Sequence, residues 1–249
     1  MAHGSWLMAY PDTADSSRRY TSLTMILILI VVFSVLFAAT HLLLSHGAIR
    51  ANLVAKMGQW PFRGLYSVVS FLTLGPAAVL WWQNRHLGPV LWEFNPWVER
   101  GFALMLMLIA IELIVLMLAN PSPASMLPGN NEPRGILRVT RHPMNMGLAL
   151  FALAHMLSNG TVGDLAISGS IFVVGMVGPF HLDARLRKAR GEGFAEFCRQ
   201  TSVMPFVAII RGRTKFRPDE ISFPLFLIGV IVFVALVIFH GKFFGADIF

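Results

Sequence analysis

Six stretches of this chain are apolar for about as long as a helix must be to cross a lipid hydrocarbon layer, and nothing else in the sequence constrains the fold as much. A span needs roughly 17 to 25 residues to match a hydrocarbon core of about 30 Å. The stretches cover Thr24–Leu44, Leu65–Trp82, Phe102–Leu118, Met144–Leu157, Leu165–Leu182 and Phe223–Phe239. In lipid, every backbone N–H and C=O must find its partner within the segment, so these stretches predict helices. The expected fold class is all-α, a polytopic transmembrane helix bundle of about six spans. The fourth stretch is the shortest, fourteen residues, and its polar flanks must lie within protein. A short or partly re-entrant helix is expected there.

Composition agrees with a chain whose solvent is largely lipid. Of 249 residues, 55% are hydrophobic and 13% charged, against about 25% charged residues in a soluble domain. This balance excludes a disordered tail, a nucleic-acid-binding basic domain and most soluble enzymes. The single cysteine, Cys198, excludes an intramolecular disulfide framework and any cysteine-held cluster supported by this chain alone. Most Lys and Arg residues follow the first, third and fifth spans, so those loops are expected in the cytoplasm, with the bacterial inner membrane as the expected location. Met25–Leu44 is too long for the apolar region of a secretory leader and lacks a small-residue cleavage site, so it reads as a true span.

The organisation expected is a polar tail over residues 1–23, a transmembrane domain over 24–213 and a C-terminal helix and tail over 214–249. The loop from Asn120 to Arg141 carries Pro121, Pro123, Pro128, Gly129, Pro133 and Gly135 and is expected in turns rather than helix. The segment Asp183–Arg217 reads as the largest soluble stretch, with a charge pattern suited to a helix on or leaving the membrane surface. The lipid bilayer and a hydrophobic small molecule are the expected partners.

An ionisable side chain at mid-span costs about 2.5 to 3.5 kcal/mol even on lenient scales. His41, Glu112, His155 and His181 therefore each need a reason. Two neutral imidazoles on facing helices can grip one metal or one haem iron. His41 precedes Arg50 by nine residues and His155 follows Arg141 by fourteen, about 13 Å and about 21 Å along a helix. If both arginines mark one interface, the two depths differ by roughly 7 Å, which tilt and side-chain reach close. His46 adds about 7 Å more, so spacing favours His41. His46, His86 and His240 sit near loop boundaries and read as interfacial hydrogen-bonding groups. Glu112 reads either as a neutral helix–helix contact or as an acid able to protonate a substrate.

Arg141-His142-Pro143, followed by Asn145 and Gly147, opens the fourth span. Pro suits the first helical turn, and the free N–H groups beyond it, with Arg141, form an anion-accepting helix start. The plain alternative is an interfacial anchor. Arg141, His142 and Asn145 are thus candidates for cofactor binding, and Arg141 and His142 join Glu112 as candidates for catalysis.

Taken together, His41-Leu42 with Ser45 and Arg50, then Gly58 and Phe62-Arg63-Gly64-Leu65-Tyr66-Ser67-Val68-Val69-Ser70, then Arg141-His142-Pro143, Ala154-His155-Met156-Leu157-Ser158-Asn159-Gly160 and Gly178-Pro179 with Asp183, resemble the NnrU family. That resemblance runs over roughly Met25 to Arg213, and the spacing of thirteen between His142 and His155 is a specific part of it. The family includes proteins found with denitrification functions and is similar to 15-cis-zeta-carotene isomerase. The resemblance implies a haem b with one axial ligand matching His155 and the other in the first span. There the isomerase branch reads His-Ser-Gly and this chain reads His41-Leu-Leu-Leu-Ser45-His46-Gly47, so His41 and His46 both stand as the second ligand. It further implies an isomerase-like or redox-linked enzyme acting on a lipophilic or gaseous ligand. The Arg-His-Pro string, with Gly193-Phe194-Ala195-Glu196-Phe197 running to Met204-Pro205, is also similar to isoprenylcysteine and methanethiol S-methyltransferases, whose S-adenosylmethionine would set its carboxylate against Arg141. A non-catalytic haem-binding or assembly factor is the third reading.

Overall fold

Each apolar stretch forms a helix. The structure, a computed structural model, describes residues 13–123, 129 and 131–245. Its long helices are α1 (Thr13–Ser45), α3 (Gln59–Gln83), α4 (Pro96–Leu116), α6 (Pro143–Ser158), α7 (Val162–Arg190) and α10 (Phe223–Phe244). Shorter helices are α2 (Gly47–Met57), α5 (Ile136–Val139), α8 (Glu192–Gln200) and α9 (Val207–Ile210), with a 3-10 turn at Pro218–Glu220. Among the described residues the architecture is an all-α bundle with no strand. Four helices, α1 from Ser17, α3, α7 and α10, are long and apolar enough to cross a membrane. The other two differ for visible reasons. Helix α4 carries Glu99, Arg100 and Glu112, and α6 has 16 residues, about 24 Å, which falls short of the hydrocarbon core.

Helix α6 is the most enclosed. The long helices pack in the order α3, α1, α7, α6, α4, α10, which puts α6 between two neighbours and buries its Met146, Gly147, Ala149, Ala152 and Ala154. Small side chains let backbones approach closely where lipid offers no hydrophobic drive for helices to associate. A Cβ on Gly147 would lie 2.6 Å from the Ile114 side chain and 2.8 Å from the Ala110 carbonyl oxygen of α4. On the other side, a Cβ on Gly175 of α7 would come within 2.9 Å of the Asn145 carbonyl oxygen. The polar flanks of α6 do lie within protein: Trp92 Nε1 donates to the Met156 carbonyl at 3.2 Å, and the opposite end is held by the Asp183 network described below.

Two expectations change. Helix α7 continues through Arg190, so Asp183 is a buried helical residue rather than the start of a soluble stretch. The surface helix is α8, which buries Phe194, Phe197 and Cys198 against Leu137 and turns Arg199 outward to Glu192 and Glu196. Within the Asn120–Arg141 loop, residues 124–128 and 130 lie outside the described residues, and α5 forms where only turns are expected. Gly135, at φ 54°, reverses the chain, and Ile136, Leu137 and Val139 bury on the far side of it.

Polar clamps tie both ends of the bundle. Asp164, buried in the first turn of α7, accepts from Trp81 Nε1 at 2.6 Å, Thr161 Oγ1 at 2.6 Å and His86 Nδ1 at 2.8 Å. At the other end Arg138 of α5 donates from Nε and Nη2 to the two Glu220 oxygens at 2.7 and 2.8 Å, and the Gly135 N–H adds a third bond at 2.8 Å. The Arg138 hydrogen bonds, foremost, hold the Glu220 carboxyl at about 2.

Replacing Gly147 by Val should lower the thermal midpoint sharply, because overpacking against backbone costs about 1 to 3 kcal/mol or more. Gly64→Ala, where a Cβ meets nothing within 4 Å, should leave the midpoint in place. Since the folded-state pKa of Glu220 is depressed, its contribution to stability is complete above the ordinary carboxylate range and disappears as pH falls toward about 2. A pH series of unfolding midpoints should therefore decline more gently below the ordinary carboxylate range in Glu220→Gln than in the parent protein.

Candidate functional site

Pro143 occupies the first turn of α6, where its missing N–H costs nothing. The two residues before it are bound internally. Arg141 donates from Nε and Nη2 to Asp183 Oδ2 at 2.9 and 2.6 Å and from Nη1 to the Thr201 carbonyl at 3.1 Å. His142 donates from Nε2 to Asp183 Oδ1 at 2.8 Å. The main chain is fixed as well: Arg141 N–H donates to the Ser202 carbonyl at 2.9 Å, and Ser122 Oγ donates to the Arg141 carbonyl at 2.6 Å. All three side chains are buried, and each oxygen of the one carboxylate meets a donor, which is what a buried charge pair requires. Arg141 and His142 are thus brought together on Asp183 and line neither cavity described next.

At the same end lies a cavity of ≈ 380 Å³ among α1, α2, α3, α6 and α7, lined by His41, Ser45, Arg50, Arg63, Tyr66, Asn145 and Arg185 among others. The His41 ring packs between Phe37 at 5.2 Å and Tyr66 at 4.6 Å. Its Nδ1 lies 3.2 Å from Ser70 Oγ, whose own hydrogen is committed to the Tyr66 carbonyl at 2.9 Å. Nδ1 of His41 therefore carries the proton and Nε2 keeps its lone pair. The same logic applies to His181, whose Nδ1 meets Ser45 Oγ at 3.2 Å while that hydroxyl donates to the Leu42 carbonyl at 2.9 Å. His46 sits edge-on to His181 at 5.5 Å.

The second cavity, ≈ 270 Å³, opens between α4, α6 and α10. Its walls are apolar, with Leu104, Met107, Ile111, Phe233, Leu236 and Val237, and one end is polar, with Glu99, Arg100, His155, Ser158, Asn159 and His240. His155 donates from Nδ1 to the Phe151 carbonyl at 2.8 Å, which again leaves Nε2 unprotonated.

His41 and His155 do not share a cavity. His41 lies at the level of Asn145, and His155 is ten residues further along α6, about 15 Å away along the axis rather than 7 Å. The depth estimate fails because α1 ends at Ser45 and α2 begins at Gly47. Arg50 therefore belongs to a separate helix, and helical rise cannot be counted through the break. Glu112 lines neither cavity: its carboxyl fills the notch left by Gly229 of α10, where a Cβ would come within 2.6 Å of Oε1, and neither oxygen has a hydrogen-bond partner among the described residues. Among the described residues no group of three or more His, Cys, Asp and Glu side chains is placed to hold a metal ion. Sequence reading missed His240, read as interfacial but lining the His155 cavity, and Asp164, which lines neither cavity but clamps the first turn of α7. For Asp164 the available signal was the Thr161-x-x-Asp164 capping pattern ahead of an apolar run.

Comparison with known proteins matches the sequence to a family. The chain is 28% identical over 200 residues to "15-cis-zeta-carotene isomerase, chloroplastic" of Zea mays, covering 77% of this chain and 53% of that protein. It is 29% identical over 174 residues to the protein of the same name from Arabidopsis thaliana, covering 66% and 46%. The chain thus spans about half the length of the curated relatives it matches. No solved structure matches it. The family model described as NnrU protein matches residues 26–248, which takes in α10 beyond the Arg213 limit of the sequence resemblance. The chain is a helical membrane protein that belongs to the NnrU family.

Proposed function

We propose that this protein is an isomerase-like membrane enzyme acting on an elongated apolar substrate of the polyene class, bound in the α4–α6–α10 cavity with His155 at its polar end. The observation that carries this reading is the shape and chemistry of that cavity. Its α4 wall runs from Glu99 to Ile111, about 18 Å of helix, apolar along its length and polar at one end. Helix α10 closes it and packs chiefly on α4 rather than on α6, so a ligand dissolved in lipid has a route in between α10 and α6. The relatives named as zeta-carotene isomerases support a polyene as the substrate class. The location we propose is the bacterial inner membrane, with the Arg141 end of the bundle on the cytoplasmic side.

The haem b implied by the family resemblance must be compared with the ligands present. His41 and His155 line separate cavities, so they do not fit as the two axial ligands of one iron within one chain. His155 does fit as a ligand, because its Nδ1–H is held by a carbonyl and its Nε2 lone pair is free, as in most metal-bound imidazoles, and His240 lines the same cavity. Bound there, a haem would supply an iron centre whose potential the surrounding protein tunes. The chain itself supplies the apolar walls that exclude water and the His155 orientation fixed by Phe151. The S-adenosylmethionine reading finds less support, since Arg141 already has its carboxylate in Asp183.

Absorption spectra of the protein in detergent, oxidised and dithionite-reduced, test the haem. A Soret band is expected that disappears in His155→Ala, is altered in His240→Ala and persists in His41→Ala; a band that survives His155→Ala would remove haem from that site. Turnover of 15-cis-zeta-carotene, followed by chromatography of the isomers, is expected to drop about tenfold or more in His155→Ala. Complete inertness of the parent protein toward polyenes would instead favour the non-catalytic alternative. Asp183→Asn should lower the thermal midpoint strongly, since breaking a buried ion pair costs about 3 to 5 kcal/mol, and calorimetry of the parent protein with S-adenosylmethionine should show no heat of binding.

A further inference from the structure

The fold gives its structural arginines acids of their own. Arg138 has Glu220, Arg141 has Asp183, and Arg199 has Glu192 and Glu196. Three arginines are treated differently. Arg50 from α2, Arg63 from α3 and Arg185 from α7 all line the His41 cavity, and no Asp or Glu lines it with them. None of the three makes an ion pair among the described residues; Arg50 rests over the Phe62 ring at 5.1 Å and Arg63 over Trp60 at 4.8 Å. Burial and the Arg63 charge push the Arg50 guanidinium below its usual value. Like charges converging from three separate helices, with Arg50 and Arg185 half-buried and Arg63 exposed, cost the folded state energy that wider spacing would avoid. An anion in the cavity removes that cost, and planar guanidiniums suit oxyanions in particular.

We propose that the cavity bordered by Arg50, Arg63 and Arg185 is a binding site for a phosphate group, with Asn145 and Ser67 as neutral contacts on its wall. Three cations around ≈ 380 Å³ suit a group with two or more acceptor oxygens and a full negative charge. The same chemistry is offered by a soluble phosphate ester and by the headgroup of an anionic phospholipid. The site is independent of the reaction proposed at His155, which lies in the other cavity.

The test uses the full chain in a neutral detergent at low salt, with two probes: inorganic phosphate, followed by calorimetry, and phosphatidylglycerol in mixed micelles, followed by native mass spectrometry. At least one probe is expected to bind one to one and to raise the thermal midpoint, with affinity falling as salt rises. Each of Arg50→Gln, Arg63→Gln and Arg185→Gln should weaken that binding about tenfold or more, and Arg211→Gln, an exposed residue outside the cavity, should not. Saturation by phosphate identifies a soluble ester as the source, and retention of phosphatidylglycerol alone identifies a lipid headgroup; both support the site. Without probe, the three variants should unfold at or above the parent midpoint, because each removes a repelling charge. A parent protein and a triple Gln variant that respond alike to both probes would overturn the proposal, as would variants that unfold earlier than a parent protein binding neither probe.

Discussion

The carboxylate of Asp183 holds one end of the bundle together. It neutralises Arg141, accepts from His142 and so joins the start of α6 to the interior of α7 and, through the Thr201 and Ser202 carbonyls, to the chain beyond α8. Helix α6 is too short to cross a bilayer unaided, and its first turn must be surrounded by protein for the helix to sit at membrane depth. Once Asp183 fixes that turn, the small residues of α6 bring α4 and α7 into backbone contact, and the two cavities form beside it at opposite levels. The same residues that look reactive in the sequence are thus the ones that make the site geometry possible.

The two cavities divide the molecule's chemistry. One is apolar along its walls, borders α10 and holds an imidazole with a free ring nitrogen. The other is rimmed by cations and holds His41 with its own free ring nitrogen. Their nearest lining residues on α6, Asn145 and Ala154, stand nine positions apart, so a ligand at one end does not block the other. Coupling between them would have to pass through α6, which is rigidly packed on both sides.

Much of this architecture was legible in the sequence because lipid imposes simple rules. The apolar stretches, Pro143 at the start of α6 and the surface helix α8 followed from length, proline chemistry and charge pattern. What escaped were relations between distant residues. Asp183 lies 42 positions from Arg141, and no local pattern links them. The pairing of His41 with His155 relied on counting rise through His46, where one helix ends and another begins. His240 was set aside as interfacial because it sits near the end of its span, and Gly229 gave no sign that a carboxyl would fill its place. The family resemblance pointed to His155 but not to its neighbours.

Helix α10 follows every other described helix in chain order, and its Gly229 covers the carboxyl of Glu112. The wall that completes the apolar cavity is thus also the cover over an acid to which it brings no hydrogen-bond donor among the described residues, so the packing of α10 on α4 has to outweigh the desolvation of that carboxyl.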